Sequence, residues 1–422
     1  MRKILKILML LAMLFPLASC QTPAKEKEEP LVSEAKGETN AITEEKEEEP
    51  VAPPAPVTTT VKMSVVGDIM VHSYQYEDAY DAKTKTYDFS HNFADVKKYF
   101  DASDITVGNL ETVFAGEEAG IGDYPMFNTP DAFAYTLKDA GFDLFTTANN
   151  HCMDRYKSGA SRTIDLLNTL GIDHIGTYKT KEERDKILVK EINGISFAFL
   201  SYTYGTNGIS VPDDFFVNII DAEVIKSDIS AAKATGADFI VVMPHMGNEY
   251  ETYVKDVFKN WANLMFEAGA DIILASHPHV LQPMEMRDIT LEDGSTRKGF
   301  IIYSLGNFIS SQTTPPRNAG IILNMEFEKT EGKTAFIKNI SFIPIWTQFR
   351  NAQNTNHFVV RSVYEMLTLS DEEKLKTLRT QDVTRLKEIH SEVTDTFFDY
   401  ETPLSDIKNS YIFYEDGEET EN

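Results

Sequence analysis

Cysteine is scarce: the 422 residues contain only two, Cys20 and Cys152. Cys20 falls in the N-terminal targeting segment, so Cys152 has no partner and no internal disulfide is expected. Positive charge is short as well. Forty Lys and Arg stand against 66 Asp and Glu, a formal net charge of −26. A phosphate backbone is gripped by a basic face, so this balance excludes a nucleic-acid partner. It does not exclude an anionic substrate, because bound metal ions reverse the local sign within a pocket. A long hydrophobic run is missing too: the stretch Ile7–Leu17 is shorter than the roughly 20 apolar residues a membrane span requires. What remains is ordinary for a folded protein, 42% hydrophobic and 25% charged, enough for a real core.

The short apolar run follows Arg2, Lys3 and Lys6, and this order of charge and apolar residues reads as a signal peptide. Leu17-Ala18-Ser19-Cys20 resembles the lipobox of bacterial lipoproteins, in which cleavage leaves the cysteine at the mature N-terminus for lipidation. Acyl chains on Cys20 would hold the protein at the outer face of the bacterial cell membrane with no helix crossing it. From Gln21 to Thr59 the composition is acidic and Pro-rich, with Glu47-Glu48-Glu49, Pro53-Pro54-Ala55-Pro56 and no aromatic residue. Such a stretch buries too little apolar surface to offset its ordering entropy and is expected to be an extended linker.

From residue 60 onward, brief apolar runs alternate with amphipathic stretches. Val61–Val66, Ile105–Val107, Leu144–Thr147, Phe239–Met243 and Ile272–Leu274 have the character of strands covered on both faces. Helices are expected near Asn92–Phe100, Pro130–Asp139, Ser158–Leu170, Ala222–Thr235 and Asp256–Ala268. In the last of these, Phe258, Trp261, Ala262 and Met265 form one apolar stripe, and Gly269 stands ready to end it. Phe300–Tyr303, Ile321–Phe327 and Phe336–Ile345 add strands without intervening helices. The pattern predicts an α/β sandwich, central sheets flanked by helices, over residues 60–348, with an antiparallel admixture late in the chain. Residues 349–422 read as a small helical extension: Ser370 and Glu373 form a capping-box pattern, and Lys374–His390 is helical in character.

Chemistry gathers at the ends of the expected strands. Five of the nine histidines lie in four short segments, which are Gly67-Asp68-Ile69-Met70-Val71-His72, Ala148-Asn149-Asn150-His151, His245-Met246-Gly247-Asn248-Glu249-Tyr250 and His277-Pro278-His279. Gly108-Asn109-Leu110-Glu111 adds a carboxylate at another strand end. Ligands of open α/β sheets bind beyond the carboxyl ends of strands, so these segments are expected to converge. Carboxylates and an Asn carbonyl suit Mg²⁺ or Mn²⁺, and imidazoles extend the range to Zn²⁺ and Fe. A two-ion site is expected, since a carboxylate can bridge two cations roughly 3.5–4 Å apart. Cys152 reads as a small buried residue behind the site rather than a nucleophile. His91, His174, His357 and His390 carry no such context and are read as structural.

The order of six motifs resembles the CapA family of poly-γ-glutamate capsule synthesis proteins, whose domain is similar to the calcineurin-like metallophosphatases. The motifs are Val66-Gly67-Asp68; Gly108-Asn109-Leu110-Glu111; Ala148-Asn149-Asn150-His151 with Asp154; Pro244-His245-Met246-Gly247 with Glu249-Tyr250; His277-Pro278-His279; and Tyr303-Ser304-Leu305-Gly306-Asn307-Phe308. The resemblance covers about Val61 to Ile345. It implies that Asp68, Glu111, Asn150, His245, His277 and His279 are metal ligands, with Glu111 in the bridging place. It implies that His151 protonates the leaving group or contacts the substrate, joined by Glu249 as a second catalytic candidate. Asn307 is expected to bind substrate. Two departures stand out. The phosphatase pattern has a histidine two residues after the first aspartate, where this chain has Met70, and the nearest imidazole, His72, is the candidate ligand in its stead. Glutamate also stands at the bridge where the pattern has aspartate.

Two functions follow as expectations. One is a metal-dependent hydrolase or transferase acting on an anionic envelope polymer such as poly-γ-glutamate. The other is a non-catalytic subunit that binds or exports the polymer beside a membrane synthase.

Overall fold

The computed structural model describes residues 56–417, apart from 291–293, 295, 399 and 401. The signal peptide, Cys20 and the linker up to residue 55 lie outside the described residues. The first strand begins at Thr58, inside the stretch expected to be linker.

Two mixed sheets carry the fold. The first contains β1 (Thr58–Ile69), β4 (Ile105–Leu110), β5 (Leu144–Thr146), β6 (Asp173–Ile175), β13 (Asn307–Ile309), β14 (Ala319–Thr330), β15 (Phe336–Arg350), β16 (Asn356–Ser362) and β17 (Tyr411–Glu415). Its order is β16-β15-β14-β1-β4-β5-β6, with β13 paired to β1 and β17 to β15. A small hairpin of β2 (Tyr80–Asp81) and β3 (Thr86–Tyr87) stands apart. The second sheet runs β11 (Leu281–Thr290), β12 (Thr296–Leu305), β10 (Ile272–Leu274), β9 (Phe239–His245), β8 (Ile195–Thr203) and β7 (Leu188–Ile192). Each sheet is parallel at its centre, β1-β4-β5-β6 in one and β8-β9-β10-β12 in the other, with antiparallel strands outside. The parallel centres explain the continuous apolar runs, since β4 and β9 are buried along their whole length.

Alternation along the strands divides their side chains between two cores. Val61, Met63 and Val65 of β1 join Phe197 and Phe199 of β8 and Val241 and Met243 of β9 in one buried cluster. Phe197 and Phe327 meet edge to face across the sheets at 4.9 Å between ring centroids. On the outer face of the first sheet, Val66, Ile69 and Phe145 pack with Phe133, Ala134 and Leu137 of α3 (Asp131–Ala140) and Leu167 of α4 (Tyr156–Leu170). On the outer face of the second, Ile240 and Val242 pack with Ile225 and Ile229 of α6 (Ala222–Ala234) and Met265 and Phe266 of α7 (Asp256–Ala268). The α/β sandwich with helices flanking central sheets is therefore present. Among the described residues, no helix is long and apolar enough to cross a membrane.

The expected helix Asn92–Phe100 shrinks to a 3₁₀ turn at Ser90–Asn92 and one turn of helix, α2 (Lys97–Phe100); α1 (Ser73–Ala79) and α5 (Lys181–Asp185) are also short. Phe93, Val96 and Phe100 keep their three-to-four spacing because they pack on the outer core, a spacing that bends serve as well as a helix. The C-terminal part holds α8 (Val363–Thr368), α9 (Asp371–Thr377) and α10 (Thr380–Phe398), and the Ser370–Glu373 capping box opens α9. It also supplies β16 and β17 to the first sheet, and α10 buries Leu386, Ile389, Val393 and Phe397 against the core between the sheets. Neither strand shows a long apolar run, and their pairing with β15 is register information that the local sequence does not carry.

Candidate metal centre

Sheet register assembles the site. Asp68 stands opposite Asn109 on β4 and opposite Asn307 on β13, so three polar side chains line up at the carboxyl end of the first sheet. Gly67 makes this possible: a Cβ there would lie 1.9 Å from the carbonyl oxygen of Gly306, where the chain crosses from β12 to β13. Glu111 follows β4, Asn150 and His151 follow β5, and His245 ends β9. His277 and His279 follow β10, both with positive φ, +110° and +59°. Such backbone costs of order 1–3 kcal/mol per residue and is found where the side chain must point one way. Gly247 lets the two histidine loops nest, for a Cβ there would strike the ring of Pro278 at 2.6 Å.

All of Asp68, Glu111, Asn150, His245, His277 and His279 are buried. Asn109 Nδ2 donates to Asp68 Oδ1 at 2.8 Å and lies 3.3 Å from His245 Nδ1. His245 Nε2 in turn sits 2.7 Å from Asn150 Oδ1 and 3.7 Å from Glu111 Oε1. His279 Nδ1 is 3.0 Å from Asp68 Oδ2 and 3.1 Å from Asn307 Oδ1. Both of those partners are acceptors, so Nδ1 carries the proton and Nε2 turns its lone pair toward Glu111 Oε1, 3.8 Å away. The two oxygens of Glu111, fully buried, and Nδ1 of His277 have no hydrogen-bond partner. Ligand atoms of Asp68, Glu111 and His245 lie within 4.8 Å of one another, and those of Glu111, His277 and His279 do likewise. Two triads thus share Glu111.

Electrostatics explain what is wanting. Burial, then the neighbouring carboxylates of Asp68 and Glu249, hold the Glu111 carboxyl well above its usual range. Burial and the neighbouring His279 push His277 down to about 3, and burial with His277 beside it lowers His245. Carboxylates crowded together favour protons, and imidazoles crowded together shed them. A cation among them would satisfy both sets. Acceptor facing acceptor, orphaned buried oxygens and neutral imidazoles fit a divalent ion of the hard-to-borderline class.

The other candidates fall around this centre in different ways. His151 Nδ1 is 2.8 Å from Asp154 Oδ2, and its ring meets Phe127 edge-on at 4.7 Å, leaving Nε2 free of that pair. Glu249 is exposed at the rim, outside both triads, although close enough to raise Glu111. Asn307 is buried and its amide is engaged: besides His279, it donates to Gln312 Oε1 at 3.2 Å and to the Arg317 carbonyl at 2.9 Å. The structure therefore gives it a place orienting His279 instead of an open face. His72, expected among the ligands, belongs to neither triad. It is the N-cap of α1, its Nδ1 3.3 Å from Gln75 Oε1 and from the Ser311 backbone N–H. Met70 leaves no imidazole on the strand, and the loop that follows turns His72 toward Phe127. Cys152 is buried, and burial pushes its thiol up to about 12, which rules out a ready nucleophile.

Three residues escaped the motif reading. Asn109 sits within one motif but gave no sign that it would tie Asp68 to His245. Tyr204 lies over His277 at 4.6 Å, its hydroxyl pushed up to about 12 by burial and the charges of Glu249 and Glu111. Arg317 stacks on Tyr250 at 3.7 Å. No spacing in the sequence links these last two to a histidine.

Fold and site together define a two-sheet α/β protein with a buried carboxylate–imidazole centre able to hold divalent ions. Residues 62–312 match the family described as bacterial capsule synthesis protein PGA_cap, and the chain belongs to that family. The matched stretch contains every residue of both triads. Among curated relatives, the PGA biosynthesis protein CapA of Bacillus subtilis (strain 168) is 33% identical over 254 residues, 59% of this chain and 63% of that protein. The capsule biosynthesis protein CapA of Bacillus anthracis is 29% identical over 261 residues, covering 59% and 60% respectively. The alignments thus span less than two thirds of these relatives' length. Among solved structures, the NAD nucleotidase NadN of Haemophilus influenzae is similar at 13% identity and a TM-score of 0.44, over 82% of this chain and 65% of that one.

Proposed function

We propose that this protein is a metal-dependent hydrolase or transferase of capsule synthesis, of the metallophosphatase type. Its substrate would be an anionic envelope polymer such as poly-γ-glutamate, cut or transferred at a γ-glutamyl amide or a phosphoester bond. One observation carries the proposal: Glu111, fully buried, shared by two ligand triads and with neither oxygen hydrogen-bonded. A purely binding subunit has no need to hold such a carboxylate against a desolvation cost of several kcal/mol.

The geometry supports the following roles. Asp68, Glu111, Asn150, His245, His277 and His279 would hold the ions, two in number on this reading, drawn from Mn, Zn, Fe or Mg. Divalent ions held there supply the positive charge that draws electron density off a phosphoryl or acyl group and raises the acidity of water. Asn109 and Asn307 fix the rings of His245 and His279. His151, its Nδ1 proton directed at Asp154, presents Nε2 as the group that gives or takes a proton at the leaving atom. The net charge of −26 would repel a polyanion everywhere except at such a cation-loaded centre. Anchoring through Cys20 would keep this activity outside the cytoplasm, at the membrane surface, beside synthase subunits. The alternative non-catalytic role in polymer binding or export shares the anchor and the polymer.

Metal analysis of the purified protein, with assays on p-nitrophenyl phosphate esters and γ-glutamyl oligomers, separates the two. Metal-dependent turnover that disappears in Glu111→Gln is expected. Metal-loaded protein that binds poly-γ-glutamate and turns over none of these substrates would overturn the catalytic reading in favour of the binding one.

A further inference from the structure

A second donor cluster lies outside the centre just described. Asp78 near the end of α1, His91 in the 3₁₀ turn and His357 in β16 bring one carboxylate and two imidazoles together, with a ligand atom of each within 4.8 Å of the others. His91 Nε2 is 2.8 Å from Asp78 Oδ2. The rings of His91 and His357 stack at 5.2 Å with only 9° between their planes. The Phe358 backbone N–H donates to Asp78 Oδ2 at 3.0 Å, which holds the carboxylate against His91. We propose that Asp78, His91 and His357 form a separate binding site for one borderline divalent cation of the zinc class.

The donor set argues for that class. Two imidazoles and one carboxylate are soft enough to favour Zn²⁺, Ni²⁺ or Cu²⁺ over Mg²⁺ and Ca²⁺, which want more oxygens. Three protein ligands leave further coordination places to water, and the partly exposed side chain of His91 (29% of its surface) opens the cluster to solvent. A hydrogen bond oriented on the ligating carboxylate, as Phe358 provides, is the kind of outer contact metal sites use. Burial and the adjacent His91 lower the pKa of His357, so at neutral pH it offers the uncharged ring that ligates. The nearby charges Asp95 and Arg361 pair with each other and leave the three donors to themselves.

The site would also have a mechanical role. β16 is the edge strand of the first sheet, and His357 lies beyond the family-matched stretch, whereas Asp78 belongs to the helix that His72 caps just after Asp68. A cation here clamps the C-terminal strand to the segment that leaves the main centre.

Full-length chelator-treated protein titrated with Zn²⁺ tests this, with bound equivalents read by calorimetry and thermal unfolding. His357→Gln and His91→Gln are each expected to lose one equivalent and the associated rise in Tm, their affinity at that site falling at least about tenfold. Asp68→Asn, altered at the main centre, is expected to keep the equivalent and the rise in Tm that His357→Gln and His91→Gln lose. Unchanged equivalents in folded His357→Gln and His91→Gln would overturn the proposal. Should either variant fail to fold, carbethoxylation of His91 and His357 in the wild-type protein decides: Zn²⁺ is expected to slow it about tenfold or more, and equal rates with and without Zn²⁺ refute the site.

Discussion

The two sheets bring opposite chemistry to the same place. The first supplies oxygen: Asp68, Glu111, and the amides of Asn109, Asn150 and Asn307. The second supplies nitrogen: His245, His277 and His279. Along the strands, away from the polar end, the same sheets meet through like surfaces, Phe197 and Phe239 each against Phe327, with centroids at 4.9 and 4.8 Å. The apolar seam closes by itself, since burying each such side chain contributes about 1.5–3 kcal/mol. The polar end does not: the carboxylates are raised, the imidazoles are lowered, and neither half satisfies the other without a cation. The seam therefore fixes the spacing, and a divalent ion, where bound, would complete what the seam leaves open.

Breaking the seam should have the largest effect. Phe197→Ala leaves a cavity between the sheets and is expected to cost about 3–5 kcal/mol in denaturant unfolding, with little selective effect on metal stoichiometry. Next, Glu111→Gln should lower turnover by on the order of 10²–10³-fold while the metal-free protein holds or gains stability, because it removes a buried unpaired charge. A parallel loss of metal-free stability would mean that Glu111 is structural. Replacing an oxygen-side orienting residue, Asn109→Ala, should weaken metal affinity by roughly 10–100-fold, measured by competition with a chromophoric chelator.

The smallest effects sharpen the contrast between the halves. In chelated protein, Glu111 has its folded pKa raised above the usual 4.5, so the stability it contributes is present below that pH and lost as pH rises through the folded value. His277 is the reverse. Its folded pKa of about 3 lies under the usual 6.5, so stability is present above 6.5 and falls as pH drops toward 3. Thermal unfolding against pH should therefore show an acid limb flattened by His277→Gln and a separate decline on raising pH flattened by Glu111→Gln. A single limb insensitive to both substitutions would break the comparison.

Much of this arrangement was readable in advance, for a definite reason. Strands buried on both faces are written as short apolar runs, and Asp68, Glu111, His245 and His277 each stand at the end of one. Proximity along the chain to a strand end is local information. Register is not. Nothing near residue 307 says that it will stand opposite Asp68, and nothing near Asn109 says that its amide will divide itself between a carboxylate and an imidazole. Nor does anything near His91 say that His357, 266 residues later, will lie beside it. His72 shows the converse: it is close in sequence to Asp68, and the structure places it as the N-cap of α1, in neither triad.

The long pairing of β1 with β14, from Thr58↔Thr330 to Val65↔Leu323, has a practical consequence for anyone dividing this gene. A fragment ending at residue 312 would retain every residue of both triads and match its family throughout. It would nevertheless leave one flank of its central strand as a bare row of amides and carbonyls, ready to recruit a neighbouring molecule. Such a truncation should come out of cells as sediment, and its inactivity would then report on solubility and say nothing about chemistry.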